Sequence, residues 1–504
     1  MKMRNLLRRI SNSLALVMGI SVSPSCLAQI SHQGLSDMGL AVHWESNIGG
    51  SPLANGRNSF VVWPHSTAKR EHVTVTLGNR VLAKIDGSEI DTVALENAIV
   101  KGDRPDVAPR LGLEGAKKKA SKLVATYKTL GRQAEMVPFS SSLSYVVTLT
   151  TNGILEAIDA ESGAVLWQVE AGDPSLPMFG PGVSDTHVVI TNGNFLHIYD
   201  LETGNQVNSR PLQFSPTGCP RALPDWALVP SVDGRTVGYN ISSIKVAPTF
   251  LRTGVENRLA TVVSADRAFI AGPMKSKLLI SKIDNDKMPV LWTAVSFGEN
   301  MASLPAATQS GYVATTANGT VFHCNTERND SIVWKTRLAT QITKSPVVNK
   351  DFVFVTSDDG FLYGLGLSDG VEIWESPIPN INEVMSVGKK HVYARNTSGL
   401  LVAFDIATGK ETGRSPFVVP DVLPNSISDR IFIVNKKGQL ACLREVDATE
   451  PTFVTTLGGS APKSNKPANN ADEDTKATEE EDTSMFDGAG DTAAPATEED
   501  PFGM

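Results

Sequence analysis

Two histidines occupy matched places in this chain of 504 residues. His197 and His323 each follow a recurring glycine, Gly193 and Gly319, by four residues. Imidazoles at equivalent strand positions could ligate a metal or line a channel. However, the two lie three repeat units apart, and Cys324 beside one is answered by Ile198 beside the other. A zinc centre needs three or four convergent ligands, so ordinary strand histidines are expected. Beyond the leader the cysteines are Cys219, Cys324 and Cys442, with no CxxC pair among them. They are expected to be small buried apolar residues, with one disulfide and a free thiol as the alternative. Asp159, Asp200 and Asp405 recur at one point of a short motif, which marks them as turn residues. The chain carries no Gly-X-Ser-X-Gly elbow, HExxH pair or P-loop. No catalytic, cofactor-binding or metal residue is therefore assigned, and no cofactor is expected.

The charge is unevenly spread. The net charge is -8. Twelve acids and one base, Lys476, fall between Asp472 and Asp500, while Lys2, Arg4, Arg8 and Arg9 open the chain. What lies between is almost neutral. Nucleic-acid binding needs clustered, uncompensated Lys and Arg, so that class of partner is excluded. Hydrophobic residues make up 41% of the chain, enough for a substantial core.

The elements that must position these residues follow from a repeat. Its clearest copy runs from Asn152 through Gly153-Ile-Leu-Glu-Ala-Ile-Asp159 and Ser162-Gly163 to Trp167. Related copies place glycines at 153, 193, 234, 319, 360, 399 and 438, and Lys275-Ser276 marks a degenerate one. The spacing is near 40 residues, with the interval from 234 to 319 holding two units. Trp292, Trp334 and Trp374 keep the same beat. Asn-Gly and Asp-Gly supply the positive φ of tight hairpins, and the flanking runs alternate as strands do. A 40-residue unit of several strands predicts the blades of a β-propeller. The Trp is expected on an outer strand, packed between neighbouring blades.

The Gly-X-Leu-X-Ala-X-Asp-X-X-Thr/Ser-Gly-X-X-X-Trp pattern resembles the PQQ-like repeat, from about Val42 to Val446. That family includes quinoprotein alcohol dehydrogenases and the propeller lipoprotein of the outer-membrane β-barrel assembly machinery. The resemblance implies an all-β propeller, taken here as eight four-stranded blades, with seven and nine as alternatives. It also implies that Ala41–Ser46 closes the ring by completing the last blade, and that Gly78–Asp86 forms a further, irregular unit. The dehydrogenase branch implies adjacent paired cysteines, a calcium ion and a catalytic Asp. No Cys-Cys occurs here. The resemblance thus implies a non-catalytic, extracytoplasmic scaffold that binds protein partners in the cell envelope; a PQQ-dependent dehydrogenase is the alternative.

Three segments stand apart from the blades. Residues 1–28 read as a signal peptide, with a basic start, an apolar stretch from Ile10 to Val22 and Ala28 at the cleavage site. Lipid anchoring through Cys26 is the alternative to a soluble periplasmic or extracellular protein. Within the propeller, assigned to 29–457, a helical insertion is expected at about 91–123, where Lys117, Lys118, Lys119 and Lys122 form a basic patch. From 458 to 504 the acidic, Ala- and Thr-rich tail is expected to be disordered, with Met485-Phe486 and Phe502 as small apolar islands. No second apolar span follows the leader, and oligomeric state is not legible. Mass spectrometry of the exported protein is expected to find Gln29 as the mature N-terminus; a lipid-modified Cys26 would overturn the soluble form.

Overall fold

A computed structural model describes residues 32–51, 60–77, 80–87, 89–100, 109–252, 262–263, 269–284, 287–326, 331–338, 341–419, 421–423, 425–435, 437–448 and 450–453. The leader, Cys26 and the acidic tail fall outside the described residues.

The strands form eight antiparallel sheets, one per blade. Within the sheets of blades 2 to 7, strands consecutive in sequence pair from the inner edge outward, as in a propeller. Blade 1 uses Phe60–Leu77, Glu135–Leu149, Ile154–Asp159 and Val165–Glu170. Blades 2 to 7 follow at 178–211, 221–252, 262–296, 306–337, 347–378 and 381–418. Blade 6 is irregular: its fourth strand is reduced to the isolated bridges Leu362–Ile378 and Leu365–Glu372. Blade 8 takes three strands from 421–445 and its outermost strand, Leu40–Asn47, from the start of the chain. Leu40 pairs with Glu445 and Asn47 with Gln439, with a bulge between Val42 and Trp44. The ring is closed by this exchange, as the sequence implied.

The repeat glycines do what their spacing predicts. Gly153, Gly193, Gly234, Gly319, Gly360, Gly399 and Gly438 all have φ between 54° and 88°. Only glycine takes such angles without strain. In the degenerate copy Lys275 itself adopts φ 43°.

The core is not one mass but a cluster at each junction between blades. Trp167, Val147 and Leu155 of blade 1 pack with Val183, Val188 and Tyr199 of blade 2. Val313, Val321 and Trp334 of blade 5 pack with Val348, Val353 and Leu365 of blade 6. The same holds around the ring, and at the seam Trp44, Phe432 and Cys442 of blade 8 meet Phe60, Val62 and Ile158 of blade 1. A blade buries its faces only against its neighbours, so the ring is the folding unit.

Tryptophans at the outer edges of blades lock five junctions by one device. Each indole N–H reaches a carbonyl in a turn of the next blade: Trp44 to Ala160 (2.8 Å), Trp167 to Leu201 (2.7 Å), Trp292 to Thr326 (2.9 Å), Trp334 to Leu367 (2.8 Å) and Trp374 to Ile406 (2.9 Å). Under four of these rings, those of Trp44, Trp167, Trp334 and Trp374, sits a turn glycine. A Cβ at Gly163 would come within 2.7 Å of Trp44, and one at Gly370 within 2.4 Å of Trp334.

The further unit expected at Gly78–Asp86 is not a blade: Gly78 lies outside the described residues, and Arg80–Asp86 is a strand of blade 1's sheet. The two inner strands of blade 1 are long, and beyond a break between Pro64 and Lys69 they continue as a hairpin projecting from the ring, with Thr76 opposite Glu135. Strand Arg80–Asp86 pairs on the side of this hairpin away from residues 135–142, with Val73 opposite Ile85. Helix Gly112–Thr129 packs on it, and Val73, Val75, Ile85, Ala116 and Ala120 form a separate small core. Helix Thr92–Val100 precedes it. The insertion is therefore helical as expected but belongs to a mixed α/β outgrowth of blade 1.

At the seam a buried ion pair reinforces the shared sheet. Arg430, 1% exposed, donates from Nε and Nη2 to both oxygens of Glu161, at 3.2 and 3.0 Å, and from Nη1 to Asp429 at 3.1 Å. His43 of the N-terminal strand lies 3.1 Å from the same Glu161. Burial opposes ionisation of Glu161, but His43 and Arg430 outweigh it and hold its pKa below the usual value. Removing one partner leaves the other buried and uncompensated, which costs about 3–5 kcal/mol. Arg430→Met is expected to lose about that much stability in denaturant melts, and adding Glu161→Gln to recover part of it; strictly additive losses would mean that the pair is not coupled. Trp334→Ala is expected to cost about 3–5 kcal/mol and to lower the melting of the whole ring in a single transition. A wild-type melt would show that the side chain does not hold the junction.

Candidate functional site

The residues singled out for chemistry are mostly structural. Asp159 Oδ1 accepts the N–H groups of Glu161 (2.9 Å) and Ser162 (2.8 Å). Asp200 and Asp405 bind the N–H and hydroxyl of Thr203 and Thr408 in the same way, at 2.7–2.8 Å. Each carboxylate thus closes its own turn. Cys219, Cys324 and Cys442 are buried thiols outside any disulfide. Burial pushes Cys219 to about 11 and Cys324 to about 12, so neither is a thiolate nucleophile at neutral pH.

The two histidines differ. His197 is half-buried, with Gln206 Nε2 at 3.1 Å and Ser209 Oγ at 3.3 Å from its Nδ1. His323 is 7% exposed and tilted against Trp334, with ring centroids 5.7 Å apart. Burial lowers the pKa of both. They sit in blades 2 and 5 and do not converge. Among the described residues, no three His, Cys, Asp or Glu side chains are placed to share a metal.

At the centre of the ring the innermost strands enclose a cavity of about 280 Å3. Its wall alternates apolar and charged groups: Trp63, Ala306 and Val347 beside Arg221, Lys344 and Glu383. The charges are engaged. Lys344 donates to the carbonyl and side chain of Asn382, and Glu383 pairs with Arg395 at 2.6 Å. Lys344 so ties blade 6 to blade 7 across the wall.

The blade 1 outgrowth is the other distinctive surface. It is pinned to the ring by charge. Arg70 bridges Asp86 of the outgrowth (2.5 Å) and Asp159 of blade 1 (2.6 Å). Buried His72, stacked on Phe139, and Lys84 each meet Glu450 at 2.9 Å, just past blade 8. Burial opposes ionisation of Glu450, but those two partners prevail and bring it to about 2. The outer face is left to solvent. Lys117 pairs with Glu114 and Lys119 with Glu89, while Lys118, Lys122 and Lys128 are exposed. Next to the helix, the strand segment 135–142 has no partner strand on its outer side among the described residues, and Met136, Val137 and Phe139 are 44%, 40% and 39% exposed. Pro138 lies within this edge, a residue suited to edges because it lacks an N–H. Sequence patterning located the lysines but not the edge strand.

The repeat, the closed ring and this geometry agree with comparison to known proteins. A family model described as outer membrane protein assembly factor BamB matches residues 124–270 and 276–469. The chain is 24% identical over 305 residues to outer membrane protein assembly factor BamB of Shewanella oneidensis, covering 58% of this chain and 66% of that relative. Among solved structures, BamB from Moraxella catarrhalis aligns with TM-score 0.46 and 16% identity, covering 60% of this chain and 93% of that one. The C-terminal WD40 domain of Sif2 aligns with TM-score 0.44 and 12% identity, over 60% and 92%. The family match spans well over half of the sequence, from the end of the outgrowth helix through every later blade. By that match the chain belongs to the outer membrane protein assembly factor BamB family of PQQ-like repeat propellers.

Proposed function

We propose that this protein is a non-catalytic, exported scaffold that binds protein partners during assembly of the cell envelope. The observation that carries it is the family match, whose description names outer-membrane protein assembly. The local chemistry supports it. The conspicuous aspartates are consumed in turns, the thiols are buried, and the charges around the central cavity are engaged with one another. On the outgrowth, helix and open sheet edge lie side by side, and exposed Met136, Val137 and Phe139 stand near exposed lysines. Exposed apolar side chains rimmed by charge suit protein contact, and segments emerging from a rigid ring are where binding tends to reside. Basic residues at the N-terminus and Ala28 support export.

Depleting the protein in its own cell is expected to lower the amount of folded, heat-modifiable outer-membrane β-barrel proteins, with recovery on complementation. Replacing residues 66–142 by a short turn should leave the ring folded, as checked by melting, yet weaken complementation and reduce capture of envelope partners after crosslinking. Unchanged barrel levels on depletion would overturn the proposal; full activity of the shortened chain would move the contact surface elsewhere on the ring.

A further inference from the structure

The outgrowth of blade 1 concentrates positive charge on one side of its helix. Between Gly112 and Ser142 stand six basic residues and two acids, Glu114 and Glu135. Lys117 and Lys119 are paired with Glu114 and Glu89. Lys118, Lys122, Lys128 and Arg132 are exposed and form no ion pair among the described residues. The helical period sorts them. Ala116 and Ala120 are buried against the hairpin, and Lys118 and Lys122, one turn apart, lie on the opposite face. Lys117, Ser121 and Lys128 share a flank. Ser121 Oγ lies 3.7 Å from Met136 Sδ, so that flank runs beside the strand segment 135–142.

The edge itself is poorly suited to a further strand. The Gly87 N–H donates to the Glu71 carbonyl at 2.7 Å, so Glu71 turns its backbone groups toward strand Arg80–Asp86. Alternation then turns those of His72, Thr74 and Thr76 toward Phe139, Val137 and Glu135, their opposite residues. Met136, Pro138 and Ser140 are left facing outward, and the middle one has no N–H to give. An incoming strand would lose a bond there, which is how proline blunts an edge. A helix needs nothing from the edge, because its backbone bonds are internal. Apolar surface is still on offer: Leu130, at the helix end, and Met136 are 67% and 44% exposed. Lipid is the poorer match. A helix lying on a membrane buries an apolar side, and helix Gly112–Thr129 has spent its own on the hairpin, through Leu113, Ala116, Ala120 and Leu123.

We propose that the ledge between this helix flank and the blunted edge receives an acidic amphipathic helix of a protein partner. Its apolar side covers Met136 and Leu130. Its carboxylates, spaced i, i+4, match Lys118 and Lys122, with Lys128 and Arg132 beyond. The 18 residues of helix Gly112–Thr129 span about 27 Å, room for about five turns of a partner helix. The inference rests on the outgrowth being the protein-contact surface and supplies the chemistry of that contact.

The test titrates the purified full chain into a fluorescent peptide and reads anisotropy. The probe is fluoresceinyl-Glu-Leu-Ala-Glu-Leu-Leu-Glu-Glu-Leu-Ala-Glu-Ala-Leu-Glu-amide. One twin has the same composition with its leucines spread around the helix, and a second has Lys for every Glu. The acidic amphipathic peptide is expected to bind saturably, about tenfold more tightly than the scrambled twin, and to weaken about tenfold between low salt and about 0.3 M. The reversal K118E/K122E/K128E should cost about tenfold and should let the Lys twin bind in its place. M136S should weaken the acidic peptide about threefold without changing its salt sensitivity. Both variants are expected to melt with the wild type, since these residues lie outside the small core. Equal binding of the scrambled twin, indifference to the reversal, or no gain by the Lys twin would overturn the proposal. So would lysine-dependent binding to phosphatidylglycerol vesicles in place of the peptide, or a dimer that the reversal dissolves, since lipid or a second copy would then be the occupant. Lost complementation on replacing residues 66–142, without peptide binding, would remove only this chemistry and leave the contact surface standing. Peptide binding with full activity of the shortened chain would instead overturn the role of that surface in envelope assembly.

Discussion

The fold depends on an indole inserted into the next blade. Two requirements meet at that contact. The tryptophan must stand on an outer strand, and the neighbour must offer a turn with a free carbonyl and no Cβ beneath the ring. The motif supplies both where it is complete, since such a unit carries the Trp and the Asp-to-Gly turn in one stretch. In the turns of blades 1, 2 and 7 the Asp carboxylate holds the loop shape, leaving the following carbonyl free for the indole. Each junction therefore rests on two copies of the motif, and a blade alone satisfies neither half. This explains why the apolar core is divided by junction and not by blade.

Where the motif fails, other contacts take over, and they mark the weak points of the ring. Between blades 2 and 3 no tryptophan is available, and Arg210 stacks over Tyr239 and donates to the Asn240 carbonyl at 3.0 Å. Between blades 3 and 4 Met288 packs on Gly238. Between blades 7 and 8 the short helix His32–Ser36 and its successor bring Leu35 and Met38 onto the core. The seam has both devices. Trp44 keeps the motif across the chain's two ends, and Arg430 with Glu161 adds an ion pair, which at such burial gives orientation more surely than net stability.

Much of this was legible in the sequence because it is periodic. Glycines at near-40 spacing fix the hairpins, and the tryptophans fix the outer strands. The N-terminal strand was recoverable because the last unit lacks its own Trp strand while Trp44 stands alone near the start. Gly78–Asp86 misled for a physical reason. Alternation and a preceding turn specify a strand but not its partner, and Val73 and Val75 continue a blade strand beyond the ring without any break in pattern. The helix at Gly112–Thr129 was visible through its composition, but the sheet edge beside it was not, since an edge is defined by the absence of a neighbour. His323 illustrates the same limit. Its equivalence to His197 could be counted, yet one imidazole meets Gln206 and Ser209 and the other meets a tryptophan. Position was readable; environment was not.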